Sequence, residues 1–208
     1  MNGHALHPLL ARAAAEAARV ARGVRRERLD GPTPCPGFDT RTLVNHWVLY
    51  TSHGLEHRAR RTELPPELVE RDFTADPGWA GDFARQLDRA VAAWADPAAW
   101  EGEVDLGGAP VPAVDIARML LAELLLHGWD VARATGQGVE VGDDLAELLL
   151  GVVEDLAELY RQYDGFAAPV PVPVGAPVFE RALGASGRDP RWAPAAVPTA
   201  PTAPAASA

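Results

Sequence analysis

Glu123 and His127 stand four residues apart within an otherwise apolar helical pattern, Asp115 to Gln137. An α-helix turns about 100° and rises about 1.5 Å per residue, so this spacing places both side chains on one face, roughly 6 Å apart along the axis. Neutral imidazole and ionised carboxylate are both ligands of divalent metals such as zinc. The two residues therefore form either part of a metal site or a carboxylate–imidazolium pair, because burying an unpartnered carboxylate is costly.

A metal site needs a further ligand, and the second predicted helix, residues 39–61, supplies candidates. Four of its side chains recur at spacings of four, three and four, which predicts one shared face: His46, Tyr50, His53 and His57. We expect this face to lie against Glu123 and His127, with His46 as the third ligand. Two nitrogens and one carboxylate oxygen leave positions open for water or substrate, as in catalytic zinc sites. His46 and His53 are roughly 10 Å apart and are not expected to bind the same ion.

Three residues are candidates for acid–base or supporting roles: His53, His57 and Asp130. The two histidines lie on the predicted face of His46, where they either line a pocket and exchange protons or are ordinary, partly exposed side chains. Asp130 follows His127 by about one helical turn. It either hydrogen-bonds to the ligand imidazole or pairs with Arg133 on the surface.

Tyr50 and Met119 each lie one turn from a predicted ligand, and we interpret them as pocket wall, with core packing as the alternative. Cys35 lies in a turn rich in proline and glycine, residues 29–38. No histidine or cation is adjacent to it in sequence, so we interpret this turn as structural. A single cysteine excludes an intramolecular disulfide and favours a reducing, cytoplasmic setting.

The composition favours one folded domain and argues against several classes of function. The chain has 208 residues, of which 48% are hydrophobic, enough for one substantial core. Its net charge of -10 argues against a general nucleic-acid binder, because neutralising phosphates needs clustered cations. No apolar run of about 18 residues occurs, so no membrane span is expected. The expected partners are small molecules, and the chain is expected to be a monomer or a homodimer.

Apolar periodicity and turn residues predict the elements that position these side chains. Helices are predicted over residues 4–28, 39–61, 79–95, 111–137 and 143–163, with Asp39 and Asp143 as N-caps. Shorter helical pieces are predicted at 67–71 and 179–183. The alternation at 101–106, followed by two glycines, predicts a short hairpin or an extended crossover before the fourth helix. Residues 166–190 are expected to lie extended along a bundle formed by residues 1–165, and residues 191–208 to be disordered.

Three blocks of the sequence resemble a known group of proteins: TPCPGFDTRTLVNHWV (33–48), ELLLHGWDVARATGQ (123–137) and residues 166–190. They look like the actinobacterial metal-binding proteins of the DinB superfamily, which are similar to the N-terminal domain of mycothiol-dependent maleylpyruvate isomerase. The resemblance covers about residues 6–190. It implies an all-α fold, a four-helix bundle with an extra C-terminal helix, and a divalent metal, commonly zinc, held by His46, Glu123 and His127.

The resemblance also implies a class of activity. Members of the family include isomerases and S-transferases that use mycothiol, bacillithiol or glutathione. DinB relatives often carry a third histidine where this chain has Glu123, which places the chain nearer the isomerase subgroup. The isomerase has a further C-terminal domain, in whose place we expect the extended segment and tail. The expected function is thus attack of a metal-activated thiol, such as mycothiol, on a small electrophilic metabolite. The alternatives are a metal-binding sensor, scaffold or small-molecule binder without catalysis, and an interaction protein with a buried polar cluster.

Overall fold

The structure, a computed structural model, describes residues 3–194, and helices dominate this range. The α-helices are α1 Gly3–Arg22, α2 Thr40–Val48, α3 Gly54–Arg60, α4 Pro66–Val69, α5 Trp79–Ala93, α6 Ala113–Ala134, α7 Asp143–Gln162 and α8 Val178–Ala185. A π-helical turn, Leu49–His53, joins α2 directly to α3. Short 3-10 turns lie at Arg26–Arg28, Phe73–Ala75 and Pro97–Trp100. The strands are β1 Glu103–Leu106 and β2 Ala109–Pro112.

Four helical segments form a closed bundle: α1, the continuous segment α2–α3, α5 and α6. α1 packs against α5 and α6, α2 packs against α6, and α3 packs against α5. Large apolar side chains fill the space between them, among them Trp47, Phe83, Leu87, Trp94 and Leu124. α7 packs on the outside of α6, and α8 packs on α7. The prediction of an all-α, DinB-like four-helix bundle with an extra C-terminal helix is confirmed. Within residues 3–194, no helix is both long and apolar enough to span a bilayer.

The second predicted helix contains a widened turn. Asp39 caps its start as predicted, because the side chain accepts a hydrogen bond from Thr42 N at 2.8 Å. At the π turn, the buried hydroxyls of Thr51 and Ser52 each donate to the carbonyl oxygen four residues earlier, at 2.6 Å. Such side-chain bonds compete with the backbone bonds of a regular helix. Because a π turn contains one more residue than an α-helical turn, one face of this segment follows a spacing of four through the turn, where an ordinary helix would alternate three and four.

Several predicted boundaries differ from the structure. α1 ends at Arg22 and not at residue 28, because the Gln137 side chain donates to the carbonyl oxygen of Val20 and occupies the space beside Gly23. The N-cap of α7 is Gly142, so the prediction of Asp143 as the cap is wrong by one residue. α8 is longer than the helical turn predicted at 179–183.

The segment before α6 is a hairpin and not an extended crossover. β1 pairs antiparallel with β2. Gly107 and Gly108 form the turn with φ of 66° and 92°, values that favour glycine. Because β2 continues to Pro112, α6 begins at Ala113, two residues later than predicted.

The chain after α7 lies against the bundle, and we call residues 166–194 the C-terminal strap. Phe166 stacks on Tyr160 of α7, with 4.8 Å between ring centroids. The segment predicted as extended contains α8, and Val170 N donates to the carbonyl oxygen of Gly184 at 2.9 Å. Trp192, which belongs to the predicted tail, packs against the core. The rest of that tail, residues 195–208, lies outside the described residues.

Candidate metal centre

A tryptophan and a glycine bring together the two helices that carry the predicted ligands. Trp47, next to His46, is fully buried, and its Nε1 donates a hydrogen bond to the carbonyl oxygen of Leu124 at 3.1 Å. Its ring lies over Gly128, where an added Cβ would be 3.3 Å from the ring. Because glycine has no side chain, α2 and α6 approach closely at the level of His46 and His127.

His46, Glu123 and His127 meet between α2 and α6. One donor atom from each side chain lies within 4.8 Å of the other two. Glu123 Oε2 is 3.1 Å from His127 Nε2 and 3.9 Å from His46 Nε2. Donor atoms around a tetrahedral zinc ion lie roughly 3.4 Å apart, since each ligand bond is about 2.1 Å long. The three side chains therefore fit a divalent ion after small adjustments, and they leave a coordination position for another ligand.

A proton and a metal ion compete for His127. Burial would lower the pKa of His127, but the carboxylates of Asp130 and Glu123 outweigh burial and raise the pKa to about 9. Burial would likewise raise the pKa of Glu123, but the imidazoles of His127 and His46 hold that pKa well below its usual range. Without metal, His127 is an imidazolium between two carboxylates. A metal ion bound here would have to replace this proton, because metals bind the neutral imidazole.

Asp130 lies on the other side of His127 from Glu123. Its Oδ2 is 3.0 Å from His127 Nδ1, and its side chain is 0% exposed. Arg188 forms a bidentate pair with it, since Nε donates to Oδ1 at 2.9 Å and Nη2 donates to Oδ2 at 2.8 Å. Because Nδ1 is directed at Asp130, Nε2 is the nitrogen that faces Glu123 and is free for a metal.

A cavity of about 270 Å³ opens beside His46 and Glu123, and we call it the central cavity. Its other lining residues are Tyr50, Gly54, Arg58, Leu64, Ile116, Met119, Leu120 and Tyr160. Arg58 is the one guanidinium in this lining; it donates to the carbonyl oxygen of Asp105 at 2.5 Å and makes no ion pair with a carboxylate of the described residues. Burial, assisted by the charge of Glu123, raises the pKa of Tyr160, so its phenol keeps its proton at neutral pH.

The structure separates the side chains that were expected to share one face. Tyr50 lies beside His46, with 4.7 Å between ring centroids, and it lines the central cavity together with Met119. His53 instead stacks on Phe73 and lines a different cavity. His57 Nδ1 hydrogen-bonds with the hydroxyl of Thr62 at 2.8 Å.

The prediction of a common face for all four side chains is therefore wrong, and the π turn is the reason. With a spacing of four maintained through the widened turn, the residues that follow His46 and Tyr50 on the cavity side are Gly54 and Arg58.

Cys35 belongs to a second group of donors. Its sulfur lies within 4.8 Å of donor atoms of His127 and Asp130. Burial, with the charges of Asp130 and Glu123, raises the pKa of the Cys35 thiol to about 11, although Arg188 opposes this shift. The thiol is therefore protonated at neutral pH. Asp130 is already bonded to Arg188 and His127, so this group suits a metal ion less well than the group that contains Glu123.

Sequence reasoning missed two cations near the site. Arg58 belongs to the spacing of four after His46, but only the π turn makes that spacing relevant. The sequence does indicate that Asp130 has a cationic partner, because an acidic residue in an apolar helix needs one. Spacing does not identify a partner 58 residues away. The surface pair considered for Asp130 does not form, since Arg133 donates to the carbonyl oxygen of Trp192 at 2.9 Å.

Comparison with known proteins places the site in context. Residues 10–132 match the family model described as the mycothiol maleylpyruvate isomerase N-terminal domain. The chain is similar to two proteins of Mycobacterium tuberculosis, uncharacterized protein MT0763 (strain CDC 1551 / Oshkosh) and uncharacterized protein Rv0738 (strain ATCC 25618 / H37Rv). Each is 31% identical over 145 residues, which cover 68% of this chain and 74% of the relative. No solved structure gives a significant match.

Proposed function

Because the chain belongs to the family of the mycothiol maleylpyruvate isomerase N-terminal domain, we propose that it is a metal-dependent thiol S-transferase or thiol-assisted isomerase. His46, Glu123 and His127 would hold the divalent ion, with zinc as the best match to two nitrogens and one carboxylate. The thiol would be mycothiol, and the substrate a small electrophilic metabolite. The observation that carries the proposal is the convergence of these three donors at the wall of a cavity. A reaction of this kind fits the reducing environment of the cytoplasm.

A divalent ion held by His46, Glu123 and His127 would supply a positive charge that lowers the pKa of a thiol in the site. The thiol sulfur then forms a bond to an electrophilic carbon of the substrate, such as that of an epoxide or an enone. The bond broken at that carbon passes its electron pair to the neighbouring oxygen or conjugated group. That group takes up the proton released by the thiol. In an isomerisation, the substrate rotates about the carbon–carbon bond that has become single; the electron pair then re-forms the double bond, the carbon–sulfur bond breaks, and the sulfur recovers its proton.

The chain's own residues would orient the substrate in the central cavity. Tyr50, Met119 and Leu120 offer apolar contacts on the side of the metal ligands. Tyr160 keeps its proton and can donate a hydrogen bond to the group that becomes negative during attack. Arg58 favours a substrate that carries an anionic group beside its apolar body, because this guanidinium has no carboxylate partner among the described residues.

Elemental analysis of the purified full chain is the first test. We expect about one equivalent of metal in the wild type and its loss in His46→Ala and in His127→Ala, because two donors do not hold an ion firmly. His57→Ala is the matched control, since within residues 3–194 that ring hydrogen-bonds only with Thr62, and His57 is not among the residues that line the central cavity. Equal metal content in all four proteins would contradict the proposed ligands.

The second test is consumption of mycothiol by the metal-loaded protein with a panel of epoxides and enones. Turnover that disappears in His46→Ala supports an enzyme. Metal binding without thiol consumption, together with binding of small molecules, would favour the alternative of a non-catalytic metal-binding bundle that acts as a sensor or binder.

A further inference from the structure

We propose that Arg188 is a positioning residue of the metal centre, so that the C-terminal strap completes a site whose ligands all lie in the bundle. This inference rests on the metal binding in the proposed function. The three ligands and Asp130 fall within residues 10–132, the range of the family match, whereas Arg188 lies beyond it. The strap thus contributes a side chain that comes from outside the range of the family match.

The contacts form an unbroken sequence from the strap to the metal ligand. Arg188 binds both oxygens of Asp130, and Asp130 Oδ2 is 3.0 Å from His127 Nδ1. Arg188 and Asp130 are buried, with 8% and 0% of their side chains exposed. A planar guanidinium with two hydrogen bonds fixes the plane of the carboxylate. That plane in turn fixes the ring of His127 and the direction of its Nε2.

The strap is built to place Arg188 at this position. Gly187 adopts a φ of 87°, and a Cβ there would lie 2.8 Å from the carbonyl oxygen of Ala167. The chain therefore turns tightly at a residue that must be glycine. Arg188 N donates to the carbonyl oxygen of Leu183 at 2.9 Å, and Arg188 Nη1 donates to Ser186 Oγ at 3.1 Å. The guanidinium has a fixed direction before any metal binds.

Removing the guanidinium leaves the buried carboxylate of Asp130 without its bidentate cation, and His127 is then its remaining side-chain partner among the described residues, which is strongly disfavoured. The strap or α6 must then move to admit water, and His127 loses its fixed partner. Other contacts hold the same strap without touching Asp130, notably the hydrogen bond from Arg133 to the Trp192 carbonyl oxygen. Arg133 therefore provides a matched control for a cation that anchors the strap but does not position a ligand.

The test is the zinc dissociation constant of the full chain, measured by competition with a chromophoric chelator. We expect Arg188→Met to weaken zinc binding by about 10- to 100-fold, the usual effect of losing a residue that orients a metal ligand. Arg188→Lys should recover part of the affinity, and Arg133→Met should bind zinc like the wild type. The double variant Asp130→Asn with Arg188→Met removes both charges of the buried pair, so that neither is left unpaired in the fold, and it should also bind zinc weakly.

Cobalt-loaded protein supplies a second readout, because the visible absorption of Co²⁺ reports the ligand geometry and not the stability of the fold. The spectrum should change in Arg188→Met and remain unchanged in Arg133→Met. Wild-type affinity and spectrum in folded Arg188→Met, or in the double variant, would overturn this inference and leave the proposed function intact. If the wild type itself bound no zinc or cobalt, the proposed function and this inference would fall together.

Discussion

The two sides of His127 differ in what surrounds them. Nε2 faces Glu123, whose side chain is 24% exposed and borders the central cavity, whereas Nδ1 faces Asp130, which is 0% exposed and paired with Arg188. Both neighbours are carboxylates within 3.1 Å of the same ring. We call them the open side and the closed side. Because both groups are carboxylates, residue type does not distinguish them. Burial and a fixed counter-ion decide which carboxylate can exchange its partner for a metal ion.

The physical reason lies in what each carboxylate loses when its contacts change. On the closed side, the carboxylate of Asp130 is not accessible to solvent, so breaking its pair with Arg188 leaves much of the cost of desolvating this charge uncompensated. On the open side, Glu123 keeps contact with solvent and is held mainly by imidazoles. Its contacts can therefore be exchanged at low cost, as ligand binding requires.

The largest effect that tests this comparison is expected on the closed side. Asp130→Ala leaves Arg188 buried and unpaired, and we expect the free energy of unfolding to fall by roughly 3–5 kcal/mol. Urea denaturation in the presence of EDTA measures this loss without a contribution from metal. A decrease no greater than that caused by Glu123→Ala would break the comparison.

The next largest effect concerns the contact between Gly128 and Trp47, which sets the distance between α6 and α2. Gly128→Ala places a methyl group 3.3 Å from the buried ring of Trp47, which cannot yield because its Nε1 is bonded to the Leu124 carbonyl. We expect a loss of about 1–3 kcal/mol in unfolding free energy. Gly151→Ala is the matched control: no atom lies within 4 Å of its added Cβ, so helix propensity should raise stability by about 0.5–1 kcal/mol. Stabilisation by both substitutions would show that α2 and α6 are not held apart by this contact.

A smaller effect on stability is expected on the open side. Glu123→Gln removes a partly exposed charge that pairs with His127 and His46, and we expect the unfolding free energy of the metal-free protein to fall by about 1–2 kcal/mol, less than in Asp130→Ala. Zinc binding should nevertheless be lost or strongly weakened, because an amide is a poorer ligand than a carboxylate. Denaturation in EDTA and zinc competition together separate these two quantities. A large loss of stability with unchanged zinc affinity would reverse the roles of the two carboxylates.

The smallest effect expected at neutral pH involves His53, an imidazole with neither of these carboxylates beside it. Burial, together with the positive charges of Arg89 and His57, lowers the pKa of His53 from 6.5 to about 4. Between these values the unfolded chain binds a proton at His53 and the folded protein does not. The contribution of His53 to stability is therefore fully present above pH 6.5 and is lost as the pH falls through about 4.

Denaturation curves of wild type and His53→Gln across this pH range measure that contribution. We expect stability to fall less steeply with decreasing pH in the variant. Equal slopes would show that the environment of His53 does not disfavour its charged form.

Much of this molecule could be predicted from local patterns, and the failures have a common origin. The bundle helices follow from apolar periodicity, and the proximity of Glu123 to His127 follows from a spacing of four within one helix. The position of His46 against Glu123 and His127 could be predicted on the single assumption that the amphipathic faces of the second and fourth predicted helices meet. The ligand set itself stays a prediction until metal is measured.

The features of the site that could not be predicted from local patterns depend on contacts between residues distant in sequence or on an irregular backbone. Arg188 reaches Asp130 across 58 residues, a pairing that no periodicity encodes. His53 and His57 do not lie on the predicted face, because the spacing of four, three and four marks one face only in a regular helix. Buried hydroxyls at Thr51 and Ser52 were the local signal for irregularity, since such side chains compete for backbone carbonyls.

The π turn also has an evolutionary consequence. A widened turn is equivalent to one residue inserted into a regular helix, so deleting a residue there would restore a regular helix and leave the residues that follow in place. His46 precedes the turn and would keep its place, and Gly54 and Arg58, then three and seven residues after Tyr50, would remain at the cavity wall. Substitutions that make the turn regular without a deletion would instead rotate the following helix by about 100° and bring His53 and His57 to the wall, while the ligand triad is inherited unchanged.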